Sequence, residues 1–177
     1  DYSMNVVNSA ACYELHRLGA KRVTLSYELN RKQISDLLEA YYEANEGYPA
    51  LEMIVYGRAP LLVTKYCPLK KMGQCGKCRT HRYEIEDEYG HFPILTHDDP
   101  ANDDCLTTIL NGKVLNLLDE MPSIENVEAF RLNFTIESAK ETAEVIRLAQ
   151  GKLDGTIKKS LFNQDTDTRG HYNKEII

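Results

Sequence analysis

The sequence contains no tryptophan, and no part of it approaches the roughly 18 consecutive apolar residues that a membrane-spanning helix needs. No secretory signal peptide is recognisable in it. Two hydrolase motifs are also missing, since neither H-E-x-x-H nor G-x-S-x-G occurs. A zincin-type metalloprotease and an α/β-hydrolase are therefore excluded, and we expect a protein with no membrane partner.

Acidic residues are absent between Met53 and Tyr83, although the whole chain has a net charge of −6. The same segment carries seven basic residues, namely Arg58, Lys65, Lys70, Lys71, Lys77, Arg79 and Arg82. The overall charge does not predict nucleic-acid binding, but a local basic surface of this kind can bind phosphate. It can also stabilise thiolates, or it can simply be a solvated face.

Four of the five cysteines lie in or after this basic segment, and they are Cys67, Cys75, Cys78 and Cys105. Cys75 and Cys78 form a C-x-x-C pair with a glycine inside it, a spacing that allows two sulfurs to bind one metal. The four thiolates therefore predict a site for zinc or an iron–sulfur cluster. Buried structural thiols, with or without a disulfide, are the alternative. An odd number of cysteines favours a reducing cytoplasm.

Strand and helix patterns alternate along the first 58 residues, which predicts an α/β fold with a parallel sheet. Ser9 and Asn30 are expected to cap two helices; Thr135 is expected to cap a third, which Gly151 ends. Segments 1–58 and 124–151 then form the half (β/α) barrel, since a complete barrel needs about 250 residues. Segment 59–123 is a four-cysteine insertion with a β-hairpin around Gly90, followed by an amphipathic turn at 114–118. Residues 152–177 read as an extended polar tail.

In such a barrel, reactive side chains follow the carboxyl ends of the strands. This rule nominates Glu28 as a general base and Arg58 as a clamp for carboxylate or phosphate, unless the two simply pair at the rim. His171 is an acid–base candidate if the tail packs against the fold. The same rule nominates Asn5 and Asn8 as substrate-binding candidates, and Arg131 is a further substrate-binding candidate because it could clamp a carboxylate or phosphate in the same way as Arg58. Cys12, on the first helix, is expected to be a buried apolar residue.

Short sequence segments along nearly the whole chain resemble those of the collagenase-like peptidase family U32. They are Met4–Ser9 (MNVVNS), Leu25–Leu29 (LSYEL), Tyr56–Arg58 (YGR), Tyr66–Pro68 (YCP), Cys75–Cys78 (CGKC), Ala129–Phe134 (AFRLNF) and Thr168–Tyr172 (TRGHY). The resemblance implies a TIM-like barrel, of which this chain is the second half with the cysteine-containing insertion. It also implies a peptidase, with collagen degradation attributed to some members.

Other members of that family hydroxylate RNA bases or take part in ubiquinone hydroxylation, and several carry a four-cysteine iron–sulfur cluster. The close Cys75/Cys78 pair departs from the spacing in the hydroxylating members, which leaves zinc as a rival metal. The resemblance thus leaves open a peptidase, an iron–sulfur hydroxylase, or a module that binds RNA or protein.

A half barrel leaves one sheet edge and some apolar surface uncovered. We therefore expect the chain, as a fragment of a longer enzyme, to be inactive alone and to form a homodimer that covers its open side.

Overall fold

The computed structural model describes residues 1–99 and 104–174. The chain forms two compact units, which we call the α/β unit (Asp1–Gly57 with Leu115–Ile177) and the cysteine unit (Arg58–Val114). No helix in the described ranges is long and apolar enough to cross a membrane.

Helices and strands alternate in the α/β unit, whereas the cysteine unit is mostly strand. The helices in the described ranges are α1 (Ser9–Arg17), α2 (Arg31–Asn45), α3 (Pro68–Lys71) and α4 (Ala139–Leu153). The strands are β1 (Val23–Thr24), β2 (Leu51–Gly57), β3 (Pro60–Thr64), β4 (Tyr83–Asp87), β5 (Gly90–Asp99), β6 (Asp104–Leu110), β7 (Val114–Asn116), β8 (Ala129–Asn133) and β9 (Asp167–Thr168).

Polar side chains set the starts of the long helices. Asn30 caps α2 in a reciprocal capping box with Gln33, as its position before the apolar stripe predicts. The cap of α1 is Asn8 rather than the predicted Ser9, because the Asn8 carboxamide accepts from the Ala11 amide at 2.8 Å. Helix α4 begins after Ser138, which forms a capping box with Glu141, and the prediction of Thr135 as its cap is wrong.

Gly151 does not end α4, which continues to Leu153, so this prediction is also wrong. The residue is needed for close packing instead. A Cβ at position 151 would lie 2.6 Å from Cδ1 of Ile157, which folds back against the helix.

Three parallel strands form the centre of the α/β unit, with β2 between β1 and β8. Residues 114–118, predicted as an amphipathic turn, instead contribute β7, which pairs antiparallel with the end of β2. The fold is therefore mixed α/β, as the alternating pattern predicts. The described residues form no closed barrel, and the TIM-like half barrel is not confirmed.

One hydrophobic core joins the sheet of the α/β unit to its helices. Leu51 and Val55 of β2 are fully buried, together with Cys12 of α1 and Leu118. The α2 stripe contributes Ile34, Leu37 and Leu38 to the same core, at the spacing of one helical face. Cys12 is thus a buried apolar residue, as predicted.

The segment after α4 is not an extended tail. Tyr172 is buried in the core and Leu161 packs against it, while the Tyr172 carbonyl accepts from the Arg31 amide at 2.9 Å. An ion pair also anchors this segment, because Lys152 Nζ lies 2.7 Å from an Asp119 carboxylate oxygen that also accepts from the Leu161 amide. The polar composition of this segment predicts an extended tail, but contacts with residues far away in the chain, which leave no local pattern, hold it against the core.

The cysteine unit contains an antiparallel sheet in the order β3-β6-β5-β4. Its β4–β5 hairpin turns at Gly90, as predicted, and pairs Tyr83 with Ile94. Helix α3 and a short 3-10 helix (Lys77–Arg79) lie between β3 and β4 in the chain.

Candidate functional site

One face of the parallel sheet carries a connected set of polar side chains, which we call the polar face (Thr24, Glu52 and Arg131). The Thr24 hydroxyl donates to Oε1 of Glu52 at 3.0 Å, and Arg131 Nη2 lies 2.5 Å from the same oxygen. Arg131 Nη1 also donates to Asp1 at 2.6 Å. Covered parallel strands are normally apolar on both faces, so a paired polar network on this face is an exception.

The register of the strands explains why these side chains meet. Thr24 of β1 is paired with Glu52 of β2, and Glu52 is paired with Ala129 of β8. Arg131 lies two residues beyond Ala129 and therefore on the same side of its strand. Only 15% of the Glu52 side chain is exposed, and the Arg131 guanidinium is its ion-pair partner.

A second polar group lies at the carboxyl ends of the strands, and we call it the carboxyl-edge cluster (Asn5, Ser26, Tyr27 and Asn133). The Ser26 hydroxyl donates to Asn5 Oδ1 at 2.7 Å. Asn133, the last residue of β8, donates from Nδ2 to the Tyr27 hydroxyl at 3.2 Å. Ligands bind at this edge of parallel sheets, because loops from successive strands converge there.

Tyr27 is held in its neutral form. Burial raises the pKa of its hydroxyl to about 12, and nearby Tyr2 acts in the same direction, while the bond from Asn133 and the charge of Arg131 oppose it. The Tyr2 and Tyr27 rings meet edge to face at 5.1 Å, which keeps the phenol in place. Since its oxygen already accepts from Asn133, the hydroxyl proton can be donated to a bound carbonyl or carboxylate.

Gly57 allows β2 and β8 to approach closely at this edge. Its φ is +135°, and a Cβ there would lie against the carbonyl oxygen of Asn133 and 3.0 Å from the Asn133 Cβ. Any other residue would push Asn133 away from Tyr27. The glycine thus positions a member of the carboxyl-edge cluster.

The four predicted metal ligands all belong to the cysteine unit. Cys67 caps α3, and its sulfur accepts from the Lys70 amide at 3.4 Å. Cys75 is exposed and stands between two glycines with positive φ, Gly73 and Gly76. Cys78 lies in the 3-10 helix, and Cys105 in β6.

These cysteines have the donor chemistry for zinc or an iron–sulfur cluster. Within residues 1–99 and 104–174, however, no three His, Cys, Asp or Glu side chains are grouped so that they could hold a metal ion. The four-cysteine site stays a prediction.

Comparison with known proteins then gives the family. The model of peptidase family U32 matches residues 1–175, nearly the whole chain. The chain belongs to peptidase family U32. No curated protein and no solved structure matched it.

The three predicted catalytic residues of this U32 chain do not all lie in the same unit. Glu28 is exposed, and its amide donates to the Ser26 hydroxyl at 3.3 Å, next to the carboxyl-edge cluster. His171 is exposed beside the buried Tyr172. The Arg58 guanidinium donates to the backbone carbonyls of Asn111 and Gly112, within the cysteine unit. Glu28 and Arg58 fall in different units, so their shared site stays a prediction.

The predicted substrate-binding residues are divided between the site and the scaffold. Asn5 belongs to the carboxyl-edge cluster, where it accepts from Ser26. Arg131 is the cation of the polar face. Asn8 uses its carboxamide to cap α1. The Asn8 side chain is close to Asn5 in sequence, but the hydrogen bond from the Ala11 amide gives it a structural role.

Thr24, Glu52 and Tyr27 were missed by the search for residues just beyond strand ends. A signal for Glu52 was present, because it is the one charged residue in the strand sequence Leu51–Gly57 (LEMIVYG). A charge within an otherwise apolar buried strand is costly unless it is paired. The signal for Thr24 is weak, since threonine is common in strands.

Proposed function

We propose that this U32 chain is part of a collagenase-like peptidase and that it binds the peptide substrate on the polar face and the carboxyl-edge cluster. The observation that carries the proposal is Arg131, a cation held on a sheet face beside Glu52. A guanidinium offers paired donors to a carboxylate or to peptide carbonyls. Family membership supplies the class of reaction.

The carboxyl-edge cluster offers groups for the backbone of a peptide. Neutral Tyr27 can donate a hydrogen bond to the carbonyl oxygen of the scissile peptide bond. The negative charge that develops on this oxygen during attack strengthens the hydrogen bond. Asn5 and Asn133 carry amide groups that match peptide N–H and C=O groups.

Glu28 is exposed at the same edge and is our candidate general base. It would take a proton from water as the water oxygen attacks the carbonyl carbon. The C–N bond then breaks, and Glu28 passes the same proton to the leaving amine.

Replacing Arg131 with glutamine tests the binding role. We expect Arg131→Gln to weaken binding of a gelatin-derived peptide about 10- to 100-fold, because a charge-assisted hydrogen bond is worth about 1.5–3 kcal/mol. Titration calorimetry measures the affinity. The matched control is Arg147→Gln, which removes the same charge from an exposed helical pair with Glu144.

A second variant, Tyr27→Phe, tests the same site in case Arg131→Gln does not fold. Tyr27→Phe removes only the hydroxyl and keeps the ring contact with Tyr2. We expect this variant to weaken the peptide about tenfold without lowering the melting temperature by more than a few degrees. The proposal would be contradicted if Arg131→Gln and Tyr27→Phe both bound the peptide as tightly as the Arg147→Gln control.

The cysteine unit supports a second part of the proposal, a zinc ion or an iron–sulfur cluster held by Cys67, Cys75, Cys78 and Cys105. Three of these cysteines lie within one short, acid-free stretch of the same compact unit. Four thiolates leave zinc no open position, so zinc would stabilise the unit. A cluster would instead favour the alternative function, hydroxylation of RNA or of a cofactor, with the basic segment as a phosphate-binding surface.

Metal analysis of protein prepared without oxygen tests this part. We expect Cys75→Ser to lose most of the bound zinc or iron, whereas Cys12→Ala keeps it. Burial raises the pKa of the Cys12 thiol to about 11, so Cys12 stays protonated and is no ligand. A visible absorption band identifies a cluster, and a colourless zinc protein identifies a structural metal. Metal-free protein, or full retention in Cys75→Ser, would contradict the four-cysteine site.

A further inference from the structure

Strand β3 is an edge of the cysteine-unit sheet and is unusually apolar. It pairs with β6 on one side, and no described strand pairs with its other side. Its three central residues are all exposed, Leu61 by 54%, Leu62 by 50% and Val63 by 58%. Since successive side chains point to opposite faces, both faces of the sheet are uncovered at this edge.

Sheet edges are usually protected against pairing by charges, by proline or by bulges. Residues 59–64 carry no charge, and Pro60 stands only at the first position of β3. The irregularity in its pairing falls at Leu61, between Pro60 and Leu62 near the start of the strand. From Leu62 to Thr64 the strand pairs regularly with β6, so its outer edge there offers backbone N–H and C=O groups beside apolar side chains.

Charge distinguishes β3 from the opposite edge, β4. If β4 paired with a second β4 around a twofold axis at Ile85, Glu84 would face Glu86 of the other copy. Like charges directly opposite each other destabilise a sheet. The same pairing of β3 around Leu62 places Leu61 opposite Val63, an apolar pair that stabilises it. The β3 edge is thus self-complementary, and the β4 edge is not.

We propose that two copies of this chain associate through β3, in antiparallel register centred on Leu62. The two four-stranded sheets then form one continuous sheet across a twofold axis. Leu106 adds to this surface, because it is 41% exposed and next to Thr107, the residue that pairs with Thr64. This contact differs from a dimer that covers the open side of a half barrel.

Sedimentation velocity over a concentration series tests the proposal. We expect Leu62→Lys to raise the dimer dissociation constant at least tenfold, because it brings two ammonium groups together at the axis. Ile85→Lys is the matched control, since it adds the same charge to an exposed position on the β4 edge. Both side chains are exposed, so circular dichroism and melting temperature should stay close to those of the unaltered chain.

Hydrogen exchange at low and high protein concentration gives an independent measure. The amides of Leu61–Thr64 that point away from β6 should become protected as the dimer forms, while those of β4 stay unchanged. A chain that remains monomeric at about 100 µM would overturn the proposal. A dimer that Leu62→Lys leaves intact would also overturn it, and would place the interface elsewhere, for example on the open side of the α/β unit.

Discussion

Replacing Gly57 with alanine is expected to destabilise the α/β unit by about 3–5 kcal/mol, among the largest effects of any single substitution. The added Cβ would meet the backbone carbonyl of Asn133, and no flexible side chain can move to relieve the contact. The positive φ of +135° adds backbone strain. Urea unfolding followed by circular dichroism measures the change in the free energy of unfolding.

Gly19→Ala is the matched control for this substitution. Gly19 also has a positive φ, +99°, but a Cβ there meets nothing within 4 Å. It should therefore cost only the strain, about 1–2 kcal/mol. Equal losses for the two variants would show that strain alone matters and that β2 and β8 can separate. If Gly57→Ala cannot be purified, melting temperatures can be measured in cell lysate instead. The values for Gly57→Ala and Gly57→Ser should still be lower than the value for Gly19→Ala.

Replacing Lys152 with methionine is expected to cost about 3–5 kcal/mol, because it leaves a buried carboxylate without its cation. The side chains of Lys152 and Asp119 are only 8% and 16% exposed. Burial opposes ionisation of Asp119, yet hydrogen bonds from Lys152, Ser160 and the Leu161 amide together lower its pKa below the ordinary 3.8. Thermal and urea unfolding measure the loss.

Two further variants separate charge from packing. Lys140→Met, at an exposed position of the same helix, should change stability by less than about 0.5 kcal/mol. Adding Asp119→Asn to Lys152→Met should recover much of the loss, since it removes the unpaired charge and keeps an acceptor for Leu161. No recovery in the double variant would contradict this account of the ion pair.

The pH dependence of the same pair has a definite sign. A carboxylate with a lowered pKa stabilises the fold above its ordinary pKa, and this stability is lost as the pH falls through the lowered pKa. The difference between the unaltered chain and Lys152→Met should therefore be largest at neutral pH and shrink below about pH 4. A constant difference across this range would show that lost packing, not lost charge, causes the effect.

Local signals in the sequence were enough for much of the α/β unit. Asn30 before an apolar stripe predicts α2, and Gly90 between alternating residues predicts the β4–β5 hairpin. These features depend on neighbouring residues, so a sequence pattern records them. Asn5 was also found, because side chains at the carboxyl ends of parallel strands meet at one edge.

The remaining features depend on contacts between residues far apart in the chain. The antiparallel pairing of β7 with β2 and the burial of Tyr172 are of this kind. Glu52 was overlooked because its partner, Arg131, lies on another strand and the pairing is visible only after folding. The cap at Ser138 does have a local signal, because Glu141 three residues later completes a capping box that Thr135 does not have.

The most direct test of the proposed peptide site is an NMR titration of the isotope-labelled chain with a gelatin-derived peptide. We predict that backbone shifts concentrate at Thr24, Tyr27, Glu52, Arg131 and Asn133, and that they disappear in Arg131→Gln. The cysteine unit should show few shifts in the same titration. Shifts confined to the cysteine unit, or unchanged shifts in Arg131→Gln, would contradict the assignment of the polar face as the peptide-binding surface.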